Sequence, residues 1–164
     1  SFTFVLCNSR NVDRRYFLEN EPAMVLLVED NDDHAELVMR QLSEHASYAR
    51  LIRVADGQEA LDYLFRNGKY VDPETSPRPH VIFLDLRLPK VDGLEVIQIL
   101  KDSDDLRKIP IVVLTTSESE RDVTRAYVNH ANSYVVKPVD FQKFRALMNE
   151  LGFYWLSWNT RTEV

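Results

Sequence analysis

Four apolar runs of this sequence each end in polar side chains suited to metal and phosphoryl chemistry. In chain order these side chains are Glu29, Asp30, Asp85, Thr115, Thr116 and Lys137. Carboxylate oxygens are preferred ligands of Mg²⁺, and an ammonium group with hydroxyl donors can hold a phosphoryl group. A carboxylate can also attack phosphorus as a nucleophile and form an aspartyl phosphate. The residue types therefore indicate Mg²⁺-dependent phosphoryl transfer.

The three carboxylates require a cation if they lie together. Two carboxylates about 4 Å apart repel by about 4 kcal/mol at an effective dielectric near 20. Cys7 is the only cysteine, and the four histidines lack the spacing of zinc ligands. Oxygen ligands alone favour a hard divalent ion, so we expect Mg²⁺, for which Mn²⁺ or Ca²⁺ can substitute.

Five short apolar runs alternate with segments of helical periodicity, and they predict the scaffold. The runs are Met24 to Val28, Leu51 to Val54, Val81 to Leu84, Ile111 to Leu114 and Tyr134 to Val136. Nearly continuous apolar strands are typical of a parallel sheet with helices on both faces. We therefore predict an α/β fold with a doubly wound, five-stranded parallel sheet. Asp56, Asp92 and Asp140 precede helical segments and are expected to cap them.

The carboxyl ends of parallel strands meet at one edge of a sheet, which is where ligands bind in this architecture. If the strand order is 2-1-3-4-5, Asp85 lies between the acidic pair and the threonine and lysine edges, so it is the predicted nucleophile. Lys137, the Thr115 hydroxyl and the backbone N–H of Thr116 would bind the transferred oxygens. Any one of these residues alone would more often be a helix cap or a solvated surface side chain than part of a binding site. Their joint position favours a shared site.

These motifs resemble the response regulator receiver family over residues 24 to about 151. The matching residues are Glu29-Asp30, Asp85, Leu88-Pro89, Asp92-Gly93, Thr115 and Lys137-Pro138. The resemblance implies a flavodoxin-like fold, direct Mg²⁺ ligation by Asp30 and Asp85, ligation by Glu29 through water, and a further ligand in the Arg87 carbonyl. It also implies a conformational switch formed by Thr115 and Tyr134, and a cis peptide between Lys137 and Pro138.

Within that family the sequence is most similar to the small response regulators of bacterial phytochromes. The shared features are a proline-rich insertion at 67–79, Leu88-Pro89-Lys90 and the aromatic stretch 153–158. This resemblance implies a sensor histidine kinase of the phytochrome type as partner, and a protein that catalyses only its own phosphorylation and hydrolysis. Arg87 departs from the pattern, and its cationic side chain is expected to shield the phosphoryl group or to pair with Glu29.

Composition limits the partners and the location. The net charge of -6 and the isoelectric point near 5.2 argue against nucleic-acid binding. No apolar run approaches the roughly 18 residues of a membrane span, and a single cysteine favours the cytoplasm. We predict a leader or added segment at 1–23, a receiver-like domain at 24–151 and an aromatic tail at 152–164. Because tyrosine and tryptophan are enriched at interfaces, we expect a homodimer that uses the last helices and this tail.

Three other functions are weighed against this one. A phosphatase of the haloacid-dehalogenase type needs a second aspartate two residues after the nucleophile, where this chain has Arg87. A flavodoxin-like electron carrier needs a hydroxyl- and glycine-rich phosphate loop after the first strand, where this chain has Glu29 and Asp30. A receiver-like scaffold that is never phosphorylated remains an alternative.

Overall fold

The structure is a computed structural model that describes residues 23–45 and 49–158. Five strands alternate with five helices. In chain order they are β1 (Ala23–Val28), α1 (Asp32–His45), β2 (Ala49–Val54), α2 (Gly57–Phe65), β3 (Val81–Leu84), α3 (Gly93–Asp102), β4 (Ile111–Thr115), α4 (Glu120–Val128), β5 (Ser133–Val136) and α5 (Phe141–Phe153). A 3₁₀ turn spans Gly68–Tyr70, and a π-helical turn, Tyr154–Trp158, continues α5.

The strands form one parallel sheet in the order β2-β1-β3-β4-β5. This confirms the predicted fold class and strand order. Strands β1, β3 and β4 are buried along their whole length, whereas β2 is largely half-buried, as befits an edge. Central strands covered on both faces leave no position for alternating polar residues, which explains their uniformly apolar sequence.

Two apolar layers cover the sheet because successive strand residues point to opposite faces. Leu26 and Ile82 lie on the face covered by α2, α3 and α4. Val25 and Phe83 lie on the other face, against α1 and α5. The two layers fix the strands rigidly, so the residues that follow the strands occupy defined positions.

Aspartates begin three of the helices, as the sequence predicts. Asp56 accepts a hydrogen bond from the backbone of Glu59 at 2.7 Å, and Asp92 accepts one from Leu94 at 3.0 Å. Asp140 accepts one from the backbone N–H at position 143 at 2.8 Å. Each cap of this kind stabilises a helix by about 1 kcal/mol.

The last helix extends into the segment predicted as a separate tail. Leu156 is buried in the layer that contains Leu42 and Met148. A Cβ atom at Gly152 would lie 3.1 Å from Leu42, so the end of α5 packs closely on α1. The division of the chain at 23 and 151 stays a prediction, and 1–22 and 159–164 lie outside the described residues. None of the helices in the described ranges is long and apolar enough to cross a bilayer.

The proline-rich insertion before β3 packs on α2. Tyr63 donates its hydroxyl hydrogen to the carbonyl of Pro77 at 2.6 Å. Glu59 accepts hydrogen bonds from Lys69 and from the Tyr70 hydroxyl, each at 2.7 Å, and one from the backbone of Ala55 at 3.0 Å. These donors, led by Lys69, lower the pKa of Glu59 from 4.5 to about 2. The Glu59 carboxylate and the Tyr63 hydroxyl therefore both hold the insertion to α2.

We expect Glu59→Gln to lower the free energy of unfolding by about 1–2 kcal/mol at neutral pH, because hydrogen bonds to a charged group are lost. The folded pKa lies below the unfolded pKa, so the stabilisation is present above about pH 4.5 and is lost as the pH falls toward 2. Urea unfolding measured between pH 7 and pH 3 should show that the difference in free energy of unfolding between wild type and variant becomes smaller as the pH falls. Glu74→Gln, in the same insertion and exposed, is the matched control. Equal stabilities of wild type and Glu59→Gln at pH 7 would refute this prediction.

Candidate functional site

Backbone hydrogen bonds extend the sheet by one residue at its carboxyl edge. The N–H of Glu29 donates to Val54 at 3.1 Å, and that of Asp85 donates to Val28 at 3.0 Å. The N–H of Lys137 donates to the Thr115 carbonyl at 2.7 Å. The site residues are therefore held in register with the strands, and the structure brings together the side chains that the sequence singles out.

The three carboxylates form one oxygen cluster. Glu29, Asp30 and Asp85 each contribute an oxygen, and these atoms lie within 4.8 Å of one another. Glu29 and Asp85 are buried, whereas Asp30 is exposed and leaves the cluster open to solvent. The donor set consists of oxygen alone and carries three negative charges against the single positive charge of Lys137. Such a set fits a hard divalent cation.

Lys137 joins the two buried carboxylates. Its Nζ atom lies 2.7 Å from Oδ2 of Asp85 and also contacts Oε2 of Glu29. Burial raises the pKa of Asp85, but the Lys137 ammonium, the Arg87 N–H and the Thr115 hydroxyl outweigh it, so the net pKa lies below that of a free aspartate. Burial raises the pKa of Glu29 more than Lys137 lowers it. Of the two buried carboxylates, Asp85 is therefore the one whose pKa is lowered, which favours the ionised form that a nucleophile needs.

Thr115 is the last residue of β4 and Thr116 follows it, and their environments differ. Thr115 is fully buried, contacts Asp85 through its hydroxyl, and accepts a hydrogen bond from the Ser117 N–H at 3.4 Å. Thr116 is exposed. Tyr134 is half-buried and donates its hydroxyl hydrogen to the Ser117 carbonyl at 3.0 Å. Thr115 and Tyr134, the two residues of the predicted switch, therefore both contact Ser117, which the prediction did not include.

Arg87 does not pair with Glu29, so that alternative was wrong, whereas shielding of a phosphoryl group by Arg87 stays a prediction. Its backbone N–H donates to Oδ1 of Asp85 at 3.1 Å, but its guanidinium pairs with Asp122 in α4 at 2.6 Å. The same Asp122 oxygen accepts a hydrogen bond from the Ser117 hydroxyl at 2.7 Å. Glu29 is already neutralised by Lys137, whereas buried Asp122 lacks any other cation in the contacts that the described residues show. A buried carboxylate of this kind requires a charged partner.

The peptide between Lys137 and Pro138 is trans, as is every peptide bond in the described part of the chain. The cis bond implied by resemblance is therefore wrong for this structure. Trans is the lower-energy form before proline by about 0.5–1 kcal/mol.

The loop after β3 is held by the start of α2 and by a glycine. Lys90 pairs with Asp56 at 2.5 Å, and the Gly57 N–H donates to the Pro89 carbonyl at 3.4 Å. A Cβ atom at Gly93 would lie 2.4 Å from the carbonyl oxygen of Asp85, so only glycine permits α3 to begin this close to Asp85. These contacts fix the loop that carries Arg87.

A further arginine, Arg53, was missed in the sequence. Its guanidinium reaches the backbone of the acidic pair and also Asp32. In the sequence, Arg53 is only a polar residue within the apolar run from Leu51 to Val54. The roles of Asp122 and Ser117 were also not predicted. An acidic residue in the first turn of a helix, such as Asp122, is usually exposed to solvent and stabilises the helix dipole.

Comparison with known proteins places these observations in a family. A family model described as a response regulator receiver domain matches residues 25–149. A probable methanogenesis regulatory protein of Methanothrix harundinacea, FilR2, is 45% identical over 152 residues, covering 92% of this chain and 96% of that protein. The response regulator Rcp1 of Synechocystis is 40% identical over 137 residues, covering 84% of this chain and 91% of that protein.

Solved structures agree with this match. The phosphorylated cyanobacterial phytochrome response regulator RcpA has a TM-score of 0.82 at 34% identity, covering 87% of this chain and 99% of that one. The Mn²⁺-bound form of response regulator Rcp1 also has a TM-score of 0.82, at 39% identity, covering 87% of this chain and all of that one.

Proposed function

Because this chain belongs to the response regulator receiver domain family, close to the phytochrome response regulators, we propose that it is a Mg²⁺-dependent phosphorylation switch. Asp85 accepts the phosphoryl group from a sensor histidine kinase of the phytochrome type. The observation that carries this proposal is the buried Asp85 carboxylate, which lies 2.7 Å from Nζ of Lys137 within a cluster of three carboxylates.

In the proposed transfer, one Asp85 oxygen forms a bond to phosphorus while the phosphorus–nitrogen bond of the kinase phosphohistidine breaks. The imidazole leaves with the electron pair of that bond and takes up a proton. Lys137, the Thr115 hydroxyl and the Thr116 N–H stabilise the charge that spreads over the phosphoryl oxygens. Asp30, Asp85 and the Arg87 carbonyl would hold Mg²⁺ directly and Glu29 would hold it through water, and the bound ion would supply further charge neutralisation. That the related response regulator Rcp1 has a Mn²⁺-bound form supports the binding of a divalent ion by this chain.

The signal then passes through Thr115 and Tyr134. The Thr115 hydroxyl lies at the carboxylate that takes up the phosphoryl group, and Ser117 connects it with the Tyr134 hydroxyl. Movement of Thr115 onto the phosphoryl group would disturb Ser117 and release Tyr134 from its carbonyl. On this proposal the protein acts on no separate substrate and catalyses only its own phosphorylation and hydrolysis, in the cytoplasm where its kinase partner presents the phosphohistidine.

We also propose that the end of α5 and the turn after it bind a second copy of the chain. Phe153 and Tyr154 expose 41% and 53% of their surface. Tyr154 and Trp155 stack edge to face at 5.2 Å and, with Leu147 and Leu151, line one groove. Exposed apolar surface of this kind marks protein interfaces. The net charge of -6 disfavours nucleic acid as the partner.

Incubation with a small acyl phosphate and Mg²⁺, followed by intact mass measurement, tests the proposal. We expect a gain of one phosphoryl group with Mg²⁺ and no gain with EDTA, because the carboxylates repel the donor without a cation. No gain with any donor or with a phytochrome kinase would favour the scaffold alternative. Sedimentation of the same samples tests the dimer, and a monomer at every concentration, phosphorylated or not, would exclude that interface.

A further inference from the structure

Arg53, next to the last residue of the edge strand β2, binds the backbone of the acidic pair. Its Nε donates to the carbonyl of Glu29 at 3.0 Å, and its Nη2 donates to the carbonyl of Asp30 at 3.3 Å. The same Nη2 lies 2.7 Å from Oδ1 of Asp32. One side chain therefore contacts Glu29 and Asp30 in the loop after β1 and Asp32 at the start of α1.

The sheet places this guanidinium where β1 leaves the sheet. Leu27 and Arg53 are partners in the β1–β2 register, and the last backbone bond of that ladder joins the N–H of Glu29 to Val54 at 3.1 Å. The carbonyls of Glu29 and Asp30 lie beyond that bond. Arg53 provides the donors that the neighbouring strand does not, so it continues the hydrogen-bonding role of β2 with a side chain.

The charge of Arg53 is largely balanced by its neighbour. Asp32 pairs with it, so the guanidinium and carboxylate together add little net charge to the metal site. Its effect on the site must then come mainly from geometry. The planar fork of arginine presents several donors in fixed directions, which lets it bind two carbonyls at once.

We propose that Arg53 is a positioning residue for metal binding, which holds the backbone of Glu29 and Asp30 so that their carboxylates converge with Asp85. The inference rests on the proposed function in one respect, that this carboxylate cluster binds a divalent cation. Arg53 is not a ligand itself. Groups that orient metal ligands in this way typically change metal affinity by about 10- to 100-fold when they are replaced.

A Mn²⁺ titration separates geometry from charge. Electron paramagnetic resonance of free Mn²⁺ gives the dissociation constant for wild type, Arg53→Gln, Arg53→Lys and the control Arg50→Gln. Arg50 lies on the same strand, is exposed and pairs in register with Met24 near the opposite end of β1. Loss of a positive charge alone would tighten cation binding, whereas loss of positioning weakens it.

We expect Arg53→Gln to weaken Mn²⁺ binding by about 10-fold. Arg53→Lys should weaken it comparably, because one ammonium cannot reproduce the fork, and Arg50→Gln should match wild type. The lysine variant carries the test if the glutamine variant does not fold. Unchanged or tighter Mn²⁺ binding in the folded Arg53 variants would overturn the proposal.

A second readout excludes a merely structural role. The phosphorylation rate measured against Mg²⁺ concentration should show a higher half-saturating concentration in Arg53→Gln, with a maximum rate near that of wild type. A deficit that saturating Mg²⁺ does not restore would overturn the positioning role. Failure of the proposed function has a different signature, since wild type itself would then bind no Mn²⁺ or gain no phosphoryl group at any Mg²⁺ concentration.

Discussion

Asp85→Asn is expected to abolish phosphoryl uptake, with no mass gain under conditions that fully phosphorylate wild type. The amide has almost the same shape but lacks the anionic oxygen that attacks phosphorus. Asp85 is buried, and its pKa is held below the usual aspartate value by Lys137, so wild type presents that oxygen ionised at neutral pH. Intact mass spectrometry after incubation with an acyl phosphate and Mg²⁺ measures the effect.

Asp56→Asn is the matched control for that experiment. Asp56 is likewise a buried aspartate paired with a lysine, Lys90, at 2.5 Å, but it begins α2 and lies outside the carboxylate cluster. Asparagine also caps helices well, so the fold should be kept. This variant should gain one phosphoryl group as wild type does. Equal phosphorylation of Asp85→Asn and wild type would refute the assignment of the phosphoacceptor.

Lys137→Met is expected to slow phosphorylation by at least about 100-fold, because one preorganised cation at the transferred oxygens is lost. It should also lower the free energy of unfolding by about 3–5 kcal/mol without divalent ions, since two buried carboxylates are left without their shared cation. Lys137 contacts both Glu29 and Asp85. Rates follow from mass measured over time, and stability follows from urea unfolding.

Lys143→Met removes an exposed lysine from α5 and is the control for the loss of charge. It should change neither the phosphorylation rate nor the free energy of unfolding appreciably. Saturating Mg²⁺ should restore part of the stability of Lys137→Met but not its rate, because a divalent ion relieves the carboxylate repulsion without replacing the ammonium. A Lys137→Met protein with the rate and stability of wild type would contradict the role given to this residue.

The fold was predictable because its causes are local. Strands buried on both faces must be apolar throughout, as Val25 and Leu26 illustrate, and the aspartates that cap helices precede them directly. The meeting of Glu29, Asp85 and Lys137 also follows once the sheet is parallel, since all three come directly after strands.

Side-chain pairings across loops were not predictable in the same way. Arg87 and Asp122 are 35 residues apart, and nothing in either neighbourhood shows that the loop after β3 passes the first turn of α4. Arg87 pairs with Asp122 and not with Glu29 because Lys137 already contacts Glu29. The path of the backbone determines which cation lies near each carboxylate. The contacts of Arg53 with the acidic pair could not be predicted because the acceptors are backbone carbonyl oxygens, which every residue carries.

The end of the chain shows a further limit of the sequence. The aromatic stretch from 153 looks like a separate tail because apolar residues there follow one another without helical spacing. The structure continues α5 as a π-helical turn that buries Leu156 and leaves Tyr154 exposed. A change in helical repeat shifts which residues face the core, so a pattern search at 3.6 residues per turn ends too early.

Reductive trapping of the phosphorylated protein tests the central claim most directly. Borohydride converts an aspartyl phosphate to homoserine, and peptide mass spectrometry then locates the modified residue. The proposed mechanism predicts homoserine at position 85 in the wild-type protein treated with acyl phosphate and Mg²⁺, and none after treatment with EDTA. Homoserine at another aspartate, or a stable phosphoryl group that borohydride does not remove, would contradict it.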